Sequence, residues 1–403
     1  MRRTTWLLLL VFAFAIPWEY SLDLGEPLGN IARIAGVLAL LMAILGVLQV
    51  GRMRTPGALQ WLVLAFYVWQ CSTYFWTIDA DTTLIRLRGT FQELMIVWLV
   101  WEFAEDAQDL RALLRAFVAG SWVLALLTFA SFLRPEAGQV RFVAEGQDPN
   151  DVARFLDMGL PMAALLAGSE SRWMGRLLAW GYLPVGLAAV LLTASREGVM
   201  AALLAMAGCG VVLLRNRPRR LIATALAAPV CAAGVWLAVP RETLERLMTI
   251  PEQVASGSFN QREDIWAAGW QAFVRSPFAG SGTGSFVSAA GLAPIDTAHN
   301  TLLSIVVQGG VVALLLFSVI VVLSGMRVWG LQGDLGIAFQ TALAVWLMTL
   351  AVATVEDNRS TWLLLGVIAL AARLAAEQPE DLARSFPEAM RGDALNAVEA
   401  AAG

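Results

Sequence analysis

Long apolar stretches recur from one end of the chain to the other, and they limit the folds that it can adopt. Of the 403 residues, 58% are hydrophobic and only 15% are charged, whereas soluble domains carry about 25% charged residues. A segment surrounded by lipid has to satisfy its own backbone hydrogen bonds, so each stretch is expected to be a helix. The sequence therefore predicts an all-α, polytopic integral membrane protein.

About twelve of these stretches approach the ~20 residues that a helix needs to cross a bilayer. They lie at 5–17, 28–50, 58–76, 84–103, 111–133, 152–168, 174–194, 197–214, 221–239, 299–324, 336–354 and 360–376. Residues 1–376 are predicted to form one transmembrane domain, and residues 377–403 a cytoplasmic tail. The first stretch resembles a cleavable signal peptide, but we interpret it as an uncleaved first helix.

Arginine placement predicts the orientation, because the cytoplasmic loops of membrane proteins are enriched in positive charge. Under strict alternation one set of arginines shares a side, which we assign to the cytoplasm: Arg2, Arg3, Arg52, Arg54, Arg111, Arg115, Arg172, Arg176, Arg215, Arg217, Arg219, Arg220 and Arg327. The outer side carries the connection 240–298, which is too long for a simple link between helices. We expect two helices there, at about 241–249 and 261–275, followed by a glycine-rich turn at 280–284.

His299 is the only histidine of the chain, and it lies where the long outer connection meets the next span. Histidine is the usual proton acceptor near neutral pH, so His299 is a candidate general base. Asn300 is a candidate for orienting the ring or a sugar hydroxyl. An acidic partner for one imidazole nitrogen is expected from Asp296, Glu356 or Asp357. The alternative is that His299 is a structural hydrogen-bonding residue at the membrane interface.

A second unusual feature is a set of arginines on the outer side, where positive charge is disfavoured in short loops. They are Arg86, Arg88, Arg196, Arg262 and Arg359. Guanidinium groups bind phosphate oxygens in a bidentate manner and stay charged in a low dielectric, so these residues are candidate ligands of a lipid-linked phosphate. The alternative is that each pairs with a nearby acid: Arg196 with Glu197, Arg262 with Glu263 and Arg359 with Asp357.

Other function classes find little support in the sequence. The formal net charge of −4 does not favour nucleic acid as a partner. Cys71, Cys209 and Cys231 are widely spaced and form neither a disulfide framework nor a metal-binding pattern. We therefore expect no cofactor and no metal. The glycines at 280–284 make an unconvincing phosphate cradle and are equally compatible with a flexible turn that closes over a substrate.

Three short motifs follow one another across the long outer connection. They are Arg262-x-x-x-Trp266, Ser276-Pro-Phe-x-Gly-x-Gly-x-Gly284-x-Phe286 and Ala298-His-Asn-x-x-Leu303. In this order, between late membrane helices, they resemble the O-antigen ligase and polymerase superfamily. Asp148-Pro-Asn-Asp-Val-Ala153 and Ser195-Arg196 also resemble this family, so the resemblance covers residues 148–320.

The resemblance implies an inner-membrane glycosyltransferase whose active site faces the periplasm. Members of the family move a glycan from an undecaprenyl diphosphate carrier to an acceptor hydroxyl. That hydroxyl belongs to a lipid A core sugar, to a growing polysaccharide or to a protein side chain. The partners implied are thus the lipid-linked donor, a glycan or lipid A core acceptor and membrane lipids, with neither a nucleotide sugar nor a metal.

By position, His299 matches the general base of the family, and Arg196 and Arg262 match the arginines that hold the diphosphate. Further matches are looser: Arg86 or Arg88 as an additional phosphate ligand, and Glu356 or Asp357 as an acidic partner. Glu197 departs from the smaller residue that is commoner after the first of these arginines. It places a negative charge beside the expected phosphate ligand.

Two other classes of function are left open by the residues themselves. One is a transporter or flippase for an anionic lipid or lipid-linked glycan, which many spans with arginines at membrane depth would suit, although no inverted repeat is detectable. The other is a non-catalytic membrane scaffold. Among glycosyltransferases, the absence of an obvious basic platform for phosphorylated lipid A slightly favours a polymerase, or a ligase with a non-phosphorylated acceptor.

Overall fold

The computed structural model describes residues 2–25, 28–135, 138–215, 240–248, 262–294 and 296–386. Within these ranges the chain is helical and forms no strand, apart from an isolated β-bridge between Asp23 and Asn30. Nine of the described helices are long and apolar enough to cross a membrane. The predicted all-α, polytopic membrane fold is therefore confirmed.

The described helices are numbered here in chain order, and a 3₁₀ segment at Ile16–Ser21 continues the first of them. They are α1 (Arg2–Ala15), α2 (Ile31–Val50), α3 (Ala58–Ser72), α4 (Ala80–Phe103), α5 (Ala107–Leu133), α6 (Pro149–Ser169), α7 (Trp173–Leu192), α8 (Arg196–Leu214), α9 (Arg241–Met248), α10 (Arg262–Arg275), α11 (Phe286–Ala290), α12 (Thr301–Trp329), α13 (Gly333–Leu350), α14 (Arg359–Glu377) and α15 (Pro379–Ser385).

The predicted number of spans, about twelve, is not confirmed. The stretch 58–76 corresponds to α3, whose 15 residues fall short of the about 20 that cross a bilayer. The stretch 84–103 corresponds to α4, which is long enough but carries charged residues along its length, among them Arg86 and Glu93. The stretch 221–239 lies outside the described residues.

Helices α6 and α14 form the centre of the bundle. Nearly all of α6 is buried, because it packs against α5, α7, α8 and α13. Helix α14 is enclosed in the same way by α4, α5 and α12. A helix that is buried on all sides can carry a charged residue only where that residue has a partner or a functional role.

Helix α2 packs against the bundle through small residues. The buried face of α2 consists of Ala32, Ala35, Ala39 and Ala43, spaced three or four residues apart, and it lies against α1. Lipid removes the hydrophobic drive for helices to associate, so close approach of backbones through small side chains supplies the packing energy.

One end of the bundle is held by ion pairs between helix ends that are distant in sequence. Arg115 makes a bidentate contact with Glu170, with Nε to Oε1 at 2.5 Å and Nη2 to Oε2 at 2.9 Å. Arg2 pairs with Glu105 at the same end, at 2.6 Å. Both arginines belong to the set predicted to face the cytoplasm, and the candidate site residues lie at the opposite ends of the helices.

Helix α12 is interrupted at Gly310, whose φ of 67° and ψ of −170° are accessible essentially only to glycine. The glycine-rich turn at 280–284 packs into this interruption. The amide of Ser281 donates to the Val307 carbonyl and that of Gly282 to the Gln308 carbonyl, both at 2.9 Å. The turn thereby pairs backbone carbonyls at a break in a membrane helix, where an unpaired polar group is costly.

The same turn is tied to other helices as well. Ile78 donates its amide to the Ser281 carbonyl at 3.0 Å, and the Thr283 amide donates to Oγ1 of Thr73 at 3.0 Å. A Cβ added at Gly282 would lie 2.0 Å from Oγ1 of Thr77. These contacts favour a fixed joint between α3, α4 and α12 over a turn that opens and closes.

Candidate functional site

His299 lies in the loop between α11 and α12, immediately before the first turn of α12. Asn300 is the N-cap of that helix, and its Oδ1 accepts the Leu303 amide at 2.9 Å. Its Nδ2 donates to the Ala351 carbonyl at 3.4 Å. The loop is further fixed by Thr301, whose hydroxyl donates to the Ala353 carbonyl at 2.7 Å. Ala353 belongs to the connection between α13 and α14, which we call the 351–358 segment. The chain that directly follows the half-buried His299 is therefore fixed by the contacts of Asn300 and Thr301.

Two non-glycine residues of the described chain adopt a positive φ, and both belong to this region. They are Ala194, with φ 51°, and His299, with φ 46°. The left-handed conformation costs an L-residue about 1–2 kcal/mol, and such strain concentrates where a structure fixes functional groups. Ala194 precedes the junction between α7 and α8, which presents Arg196.

The α7–α8 junction is organised around Asn150 at the start of α6. Oδ1 of Asn150 accepts from the Ser195 hydroxyl at 2.8 Å and from Nη2 of Arg141 at 3.0 Å. The Ser195 hydroxyl in turn caps α8 by accepting the Gly198 amide at 3.1 Å. Arg196, the next residue, donates through Nε to the backbone carbonyl of Arg246 at 3.1 Å.

Arg262, at the start of α10, reaches the same region from the long outer connection. Its Nη1 lies 2.5 Å from Oε1 of Glu197 and donates to the Val352 carbonyl at 3.0 Å. The arginine and the glutamate are mostly buried, with side-chain exposures of 12% and 21%. Glu197, which looked from the sequence like a local partner of Arg196, is therefore the partner of Arg262.

Arg141, Arg196, Arg246 and Arg262 together form what we call the arginine cluster. Burial lowers the pKa of Arg141, and the positive charges of Arg246 and Arg196 lower it further. Like charges that disfavour one another's ionised form would be relieved by a bound anion. The arginine cluster thus has the electrostatics of an anion site, and Glu197 is the carboxylate that pairs with Arg262.

His299 lies within the field of this cluster. Burial is the main cause that lowers its pKa from the ordinary 6.5, and the charge of Arg262 acts in the same direction. The carboxylates of Asp148, Asp296 and Asp151 oppose this shift. A lowered pKa keeps the imidazole neutral at pH 7, which is the form that accepts a proton.

The other predicted site residues lie at a second place, beyond the 351–358 segment. Arg86 forms an ion pair with Asp357. Arg359 forms one with the fully buried Glu19, and its Nη2 donates to Oε1 of Gln92 at 3.0 Å. The pairing of Arg359 with Asp357, which sequence proximity suggested, is therefore wrong. Arg88 is exposed on α4.

Arg86, Asp357 and Arg359 border a cavity of about 310 Å³, which we call the paired-charge cavity. Its lining is contributed by Tyr20, Gly29, Asn30, Arg33, Ile85, Arg86, Gly89, Glu93, Asp357 and Arg359. Glu356 lies close by and is buried, and burial raises its pKa. Asp357 is engaged by Arg86, and the carboxylates that act on the pKa of His299 are those of Asp148, Asp296 and Asp151. An acidic partner of His299 from this segment stays a prediction.

Sequence reasoning did not select Asn150, Arg141 or Arg246 as site residues. Arg141 and Arg246 lie in connections assigned to the outer side, so the rule that singled out Arg196 and Arg262 applied to them equally. Asn150 was part of a recognised motif, but its role as the acceptor that joins two elements appears only in the folded chain. Glu19 gave no signal, because its partner Arg359 is distant in sequence.

The comparisons with known proteins agree with this arrangement. Residues 181–318 match the family model described as O-antigen ligase. The resemblance predicted from the motifs is thereby confirmed for a region that contains Arg196, Arg262 and His299 and covers less than half of the chain. A comparison with curated proteins gives no match.

The O-antigen ligase match supports an enzyme of the ligase or polymerase type in general. This family implies a lipid-linked glycan donor and a glycan acceptor in a membrane setting. Together with the apolar helices, it supports a multi-pass bacterial membrane protein. Among the described residues, no group of three or more His, Cys, Asp and Glu is arranged to hold a metal ion.

Proposed function

We propose that this protein is an inner-membrane glycosyltransferase that moves a glycan from undecaprenyl diphosphate to an acceptor hydroxyl at the periplasmic surface. The observation that carries the proposal is the convergence of His299 with the arginine cluster, since His299 and all members of the cluster except Arg141 lie in the region that matches O-antigen ligases. Arg262 connects the two, since its charge acts on His299 while its side chain is bonded to α8 and to the 351–358 segment.

The arginine cluster is proposed to hold the diphosphate. Guanidinium groups match phosphate oxygens in charge and geometry. Within the described part of the chain, Arg196 donates a hydrogen bond through Nε to a backbone carbonyl. When the bond between the anomeric carbon and the diphosphate oxygen breaks, negative charge develops on that oxygen. Preorganised cations stabilise such charge in the transition state more than in the ground state, which lowers the barrier.

His299 is proposed to be the general base. The acceptor hydroxyl transfers its proton to a neutral imidazole nitrogen as its oxygen attacks the anomeric carbon. The electron pair of the broken bond leaves with undecaprenyl diphosphate, so a single displacement inverts the anomeric centre. Asn300 is proposed to position the loop through its N-cap contact. Substrate binding away from the reacting atoms is proposed for Arg86, Arg88 and Arg359.

Reconstitution tests the proposal. Purified protein in liposomes would receive undecaprenyl diphosphate oligosaccharide without nucleotide sugar, in parallel reactions with and without a lipid A core acceptor. Joined repeats without the added acceptor would indicate a polymerase, and product only with the acceptor would indicate a ligase. An unchanged donor in both reactions, with the donor appearing in the opposite leaflet, would reject the enzyme in favour of a flippase.

A further inference from the structure

The paired-charge cavity differs from the arginine cluster in its charge balance. Among the described residues, its lining carries the guanidinium groups of Arg33, Arg86 and Arg359 and the carboxyl groups of Glu93 and Asp357. Arg86 is already paired with Asp357, and Arg359 with Glu19, which does not line the cavity. A diphosphate entering here would compete with those carboxylates for the arginines and would lie near a third carboxyl group, that of Glu93. The cavity is therefore unsuited to an anion.

The lining is instead suited to a ligand rich in hydroxyl groups. Glu93 is only 3% exposed, and its Oε2 has no hydrogen-bond partner among the described residues. A buried carboxyl oxygen without a partner is costly, and a hydroxyl donor would satisfy it. Arg33 and the amide of Asn30 offer further donors, and the ring of Tyr20 offers an apolar face.

The cavity also has the size and place of a substrate site. Its volume of about 310 Å³ lies at the lower end of the roughly 300–1,000 Å³ range of ligand pockets. The 351–358 segment connects it to the candidate active site, because the Val352 carbonyl accepts from Arg262 and Asp357 borders the cavity. Five residues of chain span at most about 18 Å, so the two places are within reach of one oligosaccharide.

We propose that the paired-charge cavity binds uncharged sugar residues of the acceptor glycan. This rests on the proposed transferase function and deepens it by naming a neutral glycan as the acceptor. The arginine cluster then takes the diphosphate of the donor, and the paired-charge cavity takes the acceptor sugars that precede the attacking hydroxyl. Separate sites of different charge keep the two substrates from exchanging places.

Gly89 provides a test that spares the charged residues. It lines the cavity from α4, and a Cβ built there meets no atom within 4 Å. Gly89→Leu would fill the cavity without forcing the backbone to move, and leucine favours a helix over glycine. Gly325→Leu in α12 is the matched control, since a Cβ at Gly325 also meets no atom within 4 Å.

The expected result in the reconstituted transfer assay is a rise in the KM for acceptor of at least about tenfold in Gly89→Leu. The KM for donor should stay unchanged, Gly89→Ala should show a smaller rise, and Gly325→Leu should resemble the wild type. An unchanged acceptor KM in a folded Gly89→Leu protein would overturn the proposal. So would a rise in the donor KM alone, because it would place the donor in this cavity.

Direct binding separates this proposal from the proposed function. Saturation-transfer difference NMR would be recorded with maltose and chitobiose as neutral probes, in the absence of donor. Signals present in the wild type and in Gly325→Leu, but lost in Gly89→Leu, would support a neutral sugar site even if no glycan transfer were detected. Equal signals in all three proteins, or none in the wild type, would refute it.

Discussion

The ion pair between Arg262 and Glu197 allows a sharp test of what Arg262 does. One explanation is structural: the arginine fastens α10, in the long outer connection, to the start of α8. The other is that its guanidinium binds the diphosphate and that Glu197 merely orients it. Replacing each residue by glutamine, singly and together, distinguishes the two, because glutamine removes the charge and keeps a polar side chain.

The magnitude follows from the geometry of the pair. Two unit charges about 4 Å apart interact with about 4 kcal/mol at an effective dielectric constant of about 20. The Nη1–Oε1 distance is 2.5 Å, and the side chains are 12% and 21% exposed, so solvent screens part of this energy. We expect a coupling free energy of about 2 kcal/mol, between the values of about 0.2–1 for exposed pairs and about 3–5 for breaking buried ones.

Unfolding in detergent and glycan transfer in liposomes would be measured for all four proteins. In unfolding, the double variant should be less destabilised than the sum of the single variants by about 2 kcal/mol. In transfer, Arg262→Gln should lose about 10²–10³-fold in rate, as expected for one group that stabilises developing charge. Glu197→Gln should lose less than about tenfold, and the double variant should stay as inactive as Arg262→Gln.

Recovery of transfer in the double variant would refute the reasoning. It would mean that the loss in Arg262→Gln arises from the unpaired carboxylate of Glu197 and the disturbed outer connection. Arg262 would then have a structural role and would not be a ligand of the diphosphate. Equal losses in the two single variants would point the same way, since both remove the pair while only one removes the phosphate ligand.

Two further predictions concern the site and the fold. Because the pKa of His299 is lowered from 6.5 and the neutral imidazole is the active form, kcat/KM should fall with decreasing pH only below 6.5. The charge of Asp296 raises the pKa of His299, so Asp296→Asn should move the acidic limb of the pH profile to still lower pH. An acidic limb above pH 6.5 in the wild type, or a shift to higher pH in the variant, would contradict this. Gly310→Ala should destabilise the protein by at least about 2 kcal/mol, because the new Cβ would lie 2.1 Å from the Phe278 carbonyl oxygen. The control Gly325→Ala, in the same helix, meets no atom within 4 Å and should leave the melting temperature unchanged or higher.

The fold class followed from the sequence because hydropathy is a local property. A stretch such as that of α12 is apolar enough to be identified without knowing its neighbours. The boundary of a span is harder to predict from the sequence, since α3 ends at Ser72 and a 3₁₀ turn follows that its apolar composition does not indicate. The charges on α4 were visible, but only the folded chain shows that they line a cavity.

The site was predictable in its residue types and not in its partners. His299, Arg196 and Arg262 were selected because histidine and outer arginines are rare, which is a property of the sequence alone. Their contacts depend on which helices meet, and the sequence suggested near neighbours. The structure pairs Arg359 with Glu19 and Arg262 with Glu197, over separations that no local pattern encodes.

The glycine-rich turn shows a similar limit. Its glycines were equally compatible with a flexible lid and with other uses. The structure places Gly280 and Gly282 at positive φ against the interruption of α12, where a Cβ would meet backbone or side-chain atoms at 2.3 and 2.0 Å. Glycine is required there by the close approach of Gln308 to Gly280 and of Thr77 to Gly282, and both neighbours are distant in sequence.

The most direct test of the account is a comparison of wild type with His299→Asn in liposomes that contain undecaprenyl diphosphate oligosaccharide and acceptor. Asparagine tolerates the positive φ of this position, 46°, better than alanine, and it cannot act as a base. We expect unchanged donor binding and a loss of glycan transfer of about 10²–10⁴-fold, the usual contribution of a general base. Transfer at the wild-type rate would contradict the central claim that His299 removes the acceptor proton.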